Sequence, residues 1–130
     1  MTKRVIAWVN RFSARYNGWI QTSPDIFQVP NLYPLYEMDA KENTGWTETD
    51  VSDMHFHDDY GWFMPVLEKI LNEGYKMVLT SESFMIYDPG TPTRKPCVYA
   101  SVFVKEGEIK EAYALLIYNF LNTYYQQIDR

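Results

Sequence analysis

Residues 60–130 change hydrophobic period from helical to alternating and back to helical, and this order restricts the fold more than any other feature of the sequence. The first helical pattern has one apolar stripe at the spacing i, i+3, i+4, i+7, i+8, formed by Phe63, Val66, Leu67, Ile70 and Leu71. Asp58 or Asp59 can cap its start, and Gly74 suits a left-handed C-cap. Pro65 is tolerated near the first turn, so we expect the helix to begin within 61–63.

Three strand-like runs follow this helix, at 75–80, 84–87 and 98–104. A tight turn at 81–83 joins the first two runs, and a longer loop at 88–96 precedes the third. Short connections between consecutive strands favour antiparallel pairing.

A last helix is predicted over 108–126. Its apolar stripe consists of Ile109, Ala112, Tyr113, Leu116, Phe120 and Tyr124, widened by Ile117 and Leu121. A three-stranded sheet with an apolar face needs helices to cover it. We therefore predict an α+β fold, in which a three-stranded antiparallel sheet packs with two or three helices around an αβββα core in residues 60–130.

The N-terminal part of the chain has weaker signals. A short amphipathic helix is predicted from the stripe Val5, Trp8, Val9, Phe12 and Tyr16. Asn17-Gly18 ends it, and prolines at 24, 30 and 34 bias their predecessors to extended backbone. These residues predict a loop-rich wrap up to residue 36.

Residues 37–59 hold eight acids and one base, which predicts a flexible acidic loop at 37–53.

Length and charge restrict the class of protein. A chain of 130 residues is the size of one domain, which we expect to span 1–130. Its net charge of −5 disfavours direct binding to nucleic acid or to anionic lipid. The single cysteine excludes an internal disulfide and fits a reducing compartment. Because no apolar run is long enough for a signal core or a membrane span, we expect a cytoplasmic protein with no membrane contact.

Few residues have the spacing of a catalytic or metal site. His55, His57 and Asp59 form the one cluster of metal-ligand types, yet the chain has no third histidine and no HExxH spacing. A helix cap flanked by histidines explains this cluster better than a metal does. Cys97 follows a proline at the start of a strand, which is typical of a packed or edge-strand thiol. We predict no catalytic residue and no cofactor.

Two segments resemble a family of small phage and prophage proteins of the phage αβα-sandwich type. One is the His-Phe-His block with its Trp and Met-Pro-Val-Leu-Glu-Lys-Ile helix over 54–70. The other is the Ile-Lys-Glu-Ala helix over 108–121 with its Tyr-rich tail to 127. The resemblance covers a little over half of the chain. It implies a mobile-element origin and a compact α+β sandwich, and it brings no catalytic residue with it.

Aromatic residues are the strongest functional signal in the sequence. Tyr and Trp are common anchors of protein interfaces. We expect Trp46, Tyr118, Tyr124 and Tyr125, together with Trp19, to leave aromatic surface exposed. The predicted function is that of a non-enzymatic accessory protein of phage or prophage type, which acts by contact with a host or phage protein or with itself.

Two alternatives belong to other functional classes. The first is an acidic decoy that occupies a nucleic-acid-binding protein, which requires carboxylates clustered on one face. The second is a small metal-dependent hydrolase built on His55 and His57, which requires a bound ion.

Overall fold

The computed structural model describes residues 1–30 and 46–128. Its elements in chain order are α1 (Lys3–Tyr16), β1 (Ile20–Ser23), β2 (Ile26–Pro30), β3 (Trp46–Asp50), a 3₁₀ turn (Val51–Asp53), α2 (Tyr60–Asn72), β4 (Lys76–Leu79), β5 (Ser83–Asp88), β6 (Cys97–Phe103) and α3 (Ile109–Ile128). The predicted α+β class is confirmed. The described part of the chain contains no helix with the length and apolar character needed to cross a membrane.

The second sheet, β4–β5–β6, is the antiparallel sheet that the sequence predicts. Phe84 and Ile86 of β5 are buried, and they pair with Val102 and Ala100 of β6 on the face that packs against α3. The predicted helix caps also form. Asp59 Oδ1 accepts a hydrogen bond from Gly61 N at 2.7 Å, and Gly74 follows α2 with a φ of +103°.

The first sheet, β1–β2–β3, corrects the expectation of a loop-rich wrap. Pro24 lies in the turn between β1 and β2 and Pro30 ends β2, so neither proline removes a donor from the middle of a strand. The expected loop at 37–53 is wrong over 46–53, which forms β3 and the 3₁₀ turn. β-branched Thr47 and Thr49 pair with the buried strand β2, which favours a strand there. Residues 31–36 of the expected wrap and 37–45 of the expected loop lie outside the described residues.

The polar stripe of α3 covers the outer edge of β6. Asn119 Nδ2 donates to the Ser101 carbonyl at 3.2 Å, and Thr123 Oγ1 donates to the Tyr99 carbonyl at 2.9 Å. One turn later, Gln127 Oε1 accepts from the Tyr99 hydroxyl at 2.6 Å. Carbonyls of alternate residues point to the same side of a strand. The helix therefore occupies acceptors that would otherwise bind another β-strand.

A fully buried amide connects α1 to the segment between β3 and α2. Asn10 Nδ2 donates to the carbonyls of Val51 and Met54 at 2.9 and 3.1 Å, and its Oδ1 accepts from Phe56 N at 3.1 Å. One turn along the same helix, the buried Ser13 hydroxyl has no hydrogen-bond partner within the described chain. Both side chains are buried, but only that of Asn10 is hydrogen-bonded.

We expect Asn10→Ala to lower the free energy of unfolding by about 2–4 kcal/mol, because it leaves the Met54 carbonyl and the Phe56 N–H buried without partners. Ser13→Ala is the matched control and should change stability by less than about 1 kcal/mol, or increase it, since it removes an unsatisfied hydroxyl. Urea unfolding of the two variants measures both values. Equal losses of stability would show that burial, and not hydrogen bonding, gives Asn10 its role.

Candidate functional site

The two histidines lie side by side in the segment that precedes α2. Their rings are 6.1 Å apart and nearly parallel. Asp58 lies between them, with Oδ1 3.0 Å from His55 Nδ1 and Oδ2 3.5 Å from His57 Nε2. Asp59, which the sequence offered as a third ligand, instead accepts from the first turn of α2. The carboxylate beside the histidines is therefore that of Asp58 and not, as expected, that of Asp59.

This cluster lacks the geometry of a metal centre. In residues 1–30 and 46–128, no group of three or more His, Cys, Asp or Glu side chains is arranged to hold an ion. His57 also faces the buried amide, with Nδ1 3.4 Å from Asn10 Oδ1. These contacts give the segment a structural role, and they provide no support for the hydrolase alternative.

Burial lowers the pKa of His57 below its ordinary value of 6.5. Asp58 opposes this shift, while His55 and the N-terminal ammonium group reinforce it. The folded protein therefore holds His57 in its neutral form at neutral pH.

The three tyrosines predicted as interaction residues are half-buried and pack against α1. Tyr118 meets Trp8 edge-on at 4.7 Å, Tyr124 meets Tyr16 at 5.3 Å, and Tyr125 lies 5.2 Å from Phe12. Much of their ring surface is therefore used to join α3 to α1.

The two tryptophans predicted to be exposed differ in position. Trp19 is buried against Phe56 and Trp62, which corrects the expectation that it lies at the surface. Trp46 is 46% exposed on β3, where it pairs with Pro30. The structure thus places Trp46 on the first sheet and the three tyrosines on α3.

The described acids of the 37–59 region are distributed over several elements. Glu48 and Asp50 lie on β3, Asp53 ends the 3₁₀ turn, and Asp58 lies between the histidines. The acids at 37, 39 and 42 lie outside the described residues. The decoy alternative consequently stays a prediction.

A polar cleft separates the end of α2 from the loop after β5. Glu73, Tyr75, Asp88 and Arg94 line it. Glu73 Oε2 accepts from the Tyr16 hydroxyl at 2.7 Å, and Asp88 Oδ2 is 2.9 Å from Arg94 Nη2. Asp88 Oδ1 also accepts from Gly90 N at 2.8 Å. Both carboxylates therefore bind groups of their own chain, and the ion pair holds the 88–94 loop in place.

The outer face of the second sheet is a further surface, which we call the open face. Its residues alternate with those that pack on α3, and they are Val78, Met85, Tyr87, Val98, Ser101 and Phe103. Val98 is 55% exposed and Phe103 is 89% exposed. Met85, Tyr87 and Val98 line a shallow apolar depression together with Pro96 and Cys97. The open face is thus a largely apolar surface that extends across all three strands of the sheet.

The open face also differs in charge from the rest of the protein. Its three strands place one charged side chain, Lys76, on this side of the sheet, and the residues named above include no carboxylate. The whole chain has a net charge of −5. Carboxylates lie at its border, where Glu108 and Glu111 of α3 line a cleft together with Phe103. A centre with few charges is typical of an interface.

Sequence reasoning missed the open face because a bulge in β6 changes the alternation. By period two Val98 would share the inner face with Ala100 and Val102, but the extra residue at Tyr99 turns Val98 outward, on the side of Phe103. Both sides of the folded strand are therefore apolar. A strand of this kind is typical of a sheet that is covered on both faces. The predicted two or three helices would be enough to cover both faces, but in the structure Val98 and Phe103 on the outer face are exposed.

No protein-family model, curated protein or solved structure matches this chain. The resemblance to small phage and prophage proteins therefore stays a prediction.

The free energy of unfolding should fall as the pH is lowered below about 6.5, the ordinary pKa of histidine. Because the folded pKa of His57 lies below its unfolded value, the unfolded chain binds more protons in this range. His57→Gln should flatten this dependence, and His55→Gln, at the more exposed neighbour, should leave most of it. Urea titrations at several pH values measure it, and an unchanged slope in His57→Gln would refute this assignment.

Proposed function

We propose that this protein works by binding another protein chain rather than by catalysis, and that the open face is its contact surface. The observation that carries the proposal is the exposure of Val98 and Phe103 on a sheet face without carboxylates. Binding a partner is favoured by about 25 cal/mol for each Å² of apolar surface that it removes from water. Contiguous apolar patches on a folded protein are typical of protein interaction sites.

The covered edge of β6 supports contact through the face. A strand with a free edge can bind a partner by adding one more strand to its sheet. Here Asn119 and Thr123 already donate to the carbonyls of Ser101 and Tyr99 on that edge. A partner is therefore expected to lie across β4–β6 and not to extend the sheet beyond β6.

The other predictions about the protein's setting fit this proposal. The resemblance over 54–70 and 108–127 supports a phage or prophage accessory protein. The acidic charge and the single cysteine, Cys97, which is exposed, support a cytoplasmic location. We propose no catalytic residue and no cofactor, and the partner is a protein of the host, of the phage, or a second copy.

A photo-crosslinking residue at position 98 tests the contact surface in the cells that express the protein. We expect it to yield discrete adducts of defined mass, because the side chain is exposed on the proposed contact surface. Ile20 is the matched control, since it is also on a β-strand and is 54% exposed, on the first sheet. Absence of adducts from position 98, or the same adducts from position 20, would contradict the proposed contact surface.

A further inference from the structure

We infer that the open face binds a second copy of this chain, so that two β4–β6 sheets pack face to face. This inference rests on the proposed function and names the partner. The resulting arrangement would be two second sheets at the centre, each with its α3 on the outside. Packed sheets lie about 10 Å apart with their side chains interleaved.

The distribution of charge favours a copy over a charged partner. The open face offers no carboxylate to a basic protein and only Lys76 to an acidic one. An uncharged apolar surface is therefore its best complement, and the open face is itself such a surface. Since two copies with a charge of −5 repel each other over most of their surfaces, contact is least costly where the acids are absent.

The open face has protruding and recessed side chains, which can interdigitate with those of a second copy. Phe103 protrudes at one end of β6, and the next outward residue on that strand is the small Ser101. Met85, which pairs with Ser101, is half-buried. Large and small side chains therefore alternate along the surface, as interleaved layers require.

The size of the open face sets the expected strength of the pair. The three strands are spaced about 4.8 Å apart, and β6 is about 23 Å long. The open face therefore has a projected area on the order of 300 Å². Two such surfaces with their side chains bury on the order of 1,000 Å² in total, near the lower limit for a specific interface. We therefore expect a dimer with a dissociation constant in the micromolar range or weaker.

Sedimentation equilibrium of the full chain, from about 10 μM to about 1 mM, tests this inference. We expect a monomer–dimer equilibrium that Val98→Lys weakens at least about tenfold, because it buries an ammonium group in an apolar interface. Val78→Lys should act in the same direction, and Ile20→Lys should associate like the wild type. Higher salt should strengthen the pair, because it screens the repulsion between two acidic copies.

Two outcomes would overturn the inference: a monomeric wild type over the whole range, or Val98→Lys and Val78→Lys proteins that dimerise like the wild type. Thermal unfolding of each variant establishes that it is folded before it is compared. A monomeric protein whose position 98 still crosslinks to a different protein in cells would overturn self-association and leave the proposed function standing. A monomeric protein without adducts at position 98 would overturn both.

Discussion

The buried amide of Asn10 ties helix α1 to the chain segment that connects the first sheet to α2. It binds two carbonyls and one N–H of the irregular segment between β3 and α2. Such groups are costly to bury unless a partner is supplied, and α1 supplies it from a single side chain. The amide holds this segment against α1, between the Asp50 cap of the 3₁₀ turn and the Asp59 cap of α2.

Helix α3 has three roles, and together they leave one surface for binding. Its apolar stripe covers the inner face of the second sheet, and its tyrosines pack on α1. Its polar stripe binds the β6 carbonyls through Asn119 and Thr123. Because the inner face and this edge are both occupied, the outer face is the part of β5 and β6 that remains available to another molecule.

Most of the α+β core follows from local patterns in the sequence. The strands of the second sheet begin and end within one or two residues of their predicted bounds, because turns and alternation mark them over a few neighbouring residues. The first sheet escapes prediction because prolines bias their predecessors to extended loop backbone, whereas Pro24 and Pro30 lie in a turn and at a strand end. The tyrosines of α3 were identified as aromatic anchors, but a sequence does not show that α1 is their neighbour.

The sequence by itself determined the class of fold, the helix caps and the order of the second sheet, since these depend on residues a few positions apart. Only the tertiary structure decided which apolar residues outside the helical stripes are covered. Trp19 and Val98 are both apolar residues near turns or strand ends, yet one is buried by Phe56 and Trp62 and the other is exposed. Burial depends on elements that are distant in the chain, and a local pattern contains no information about where they pack.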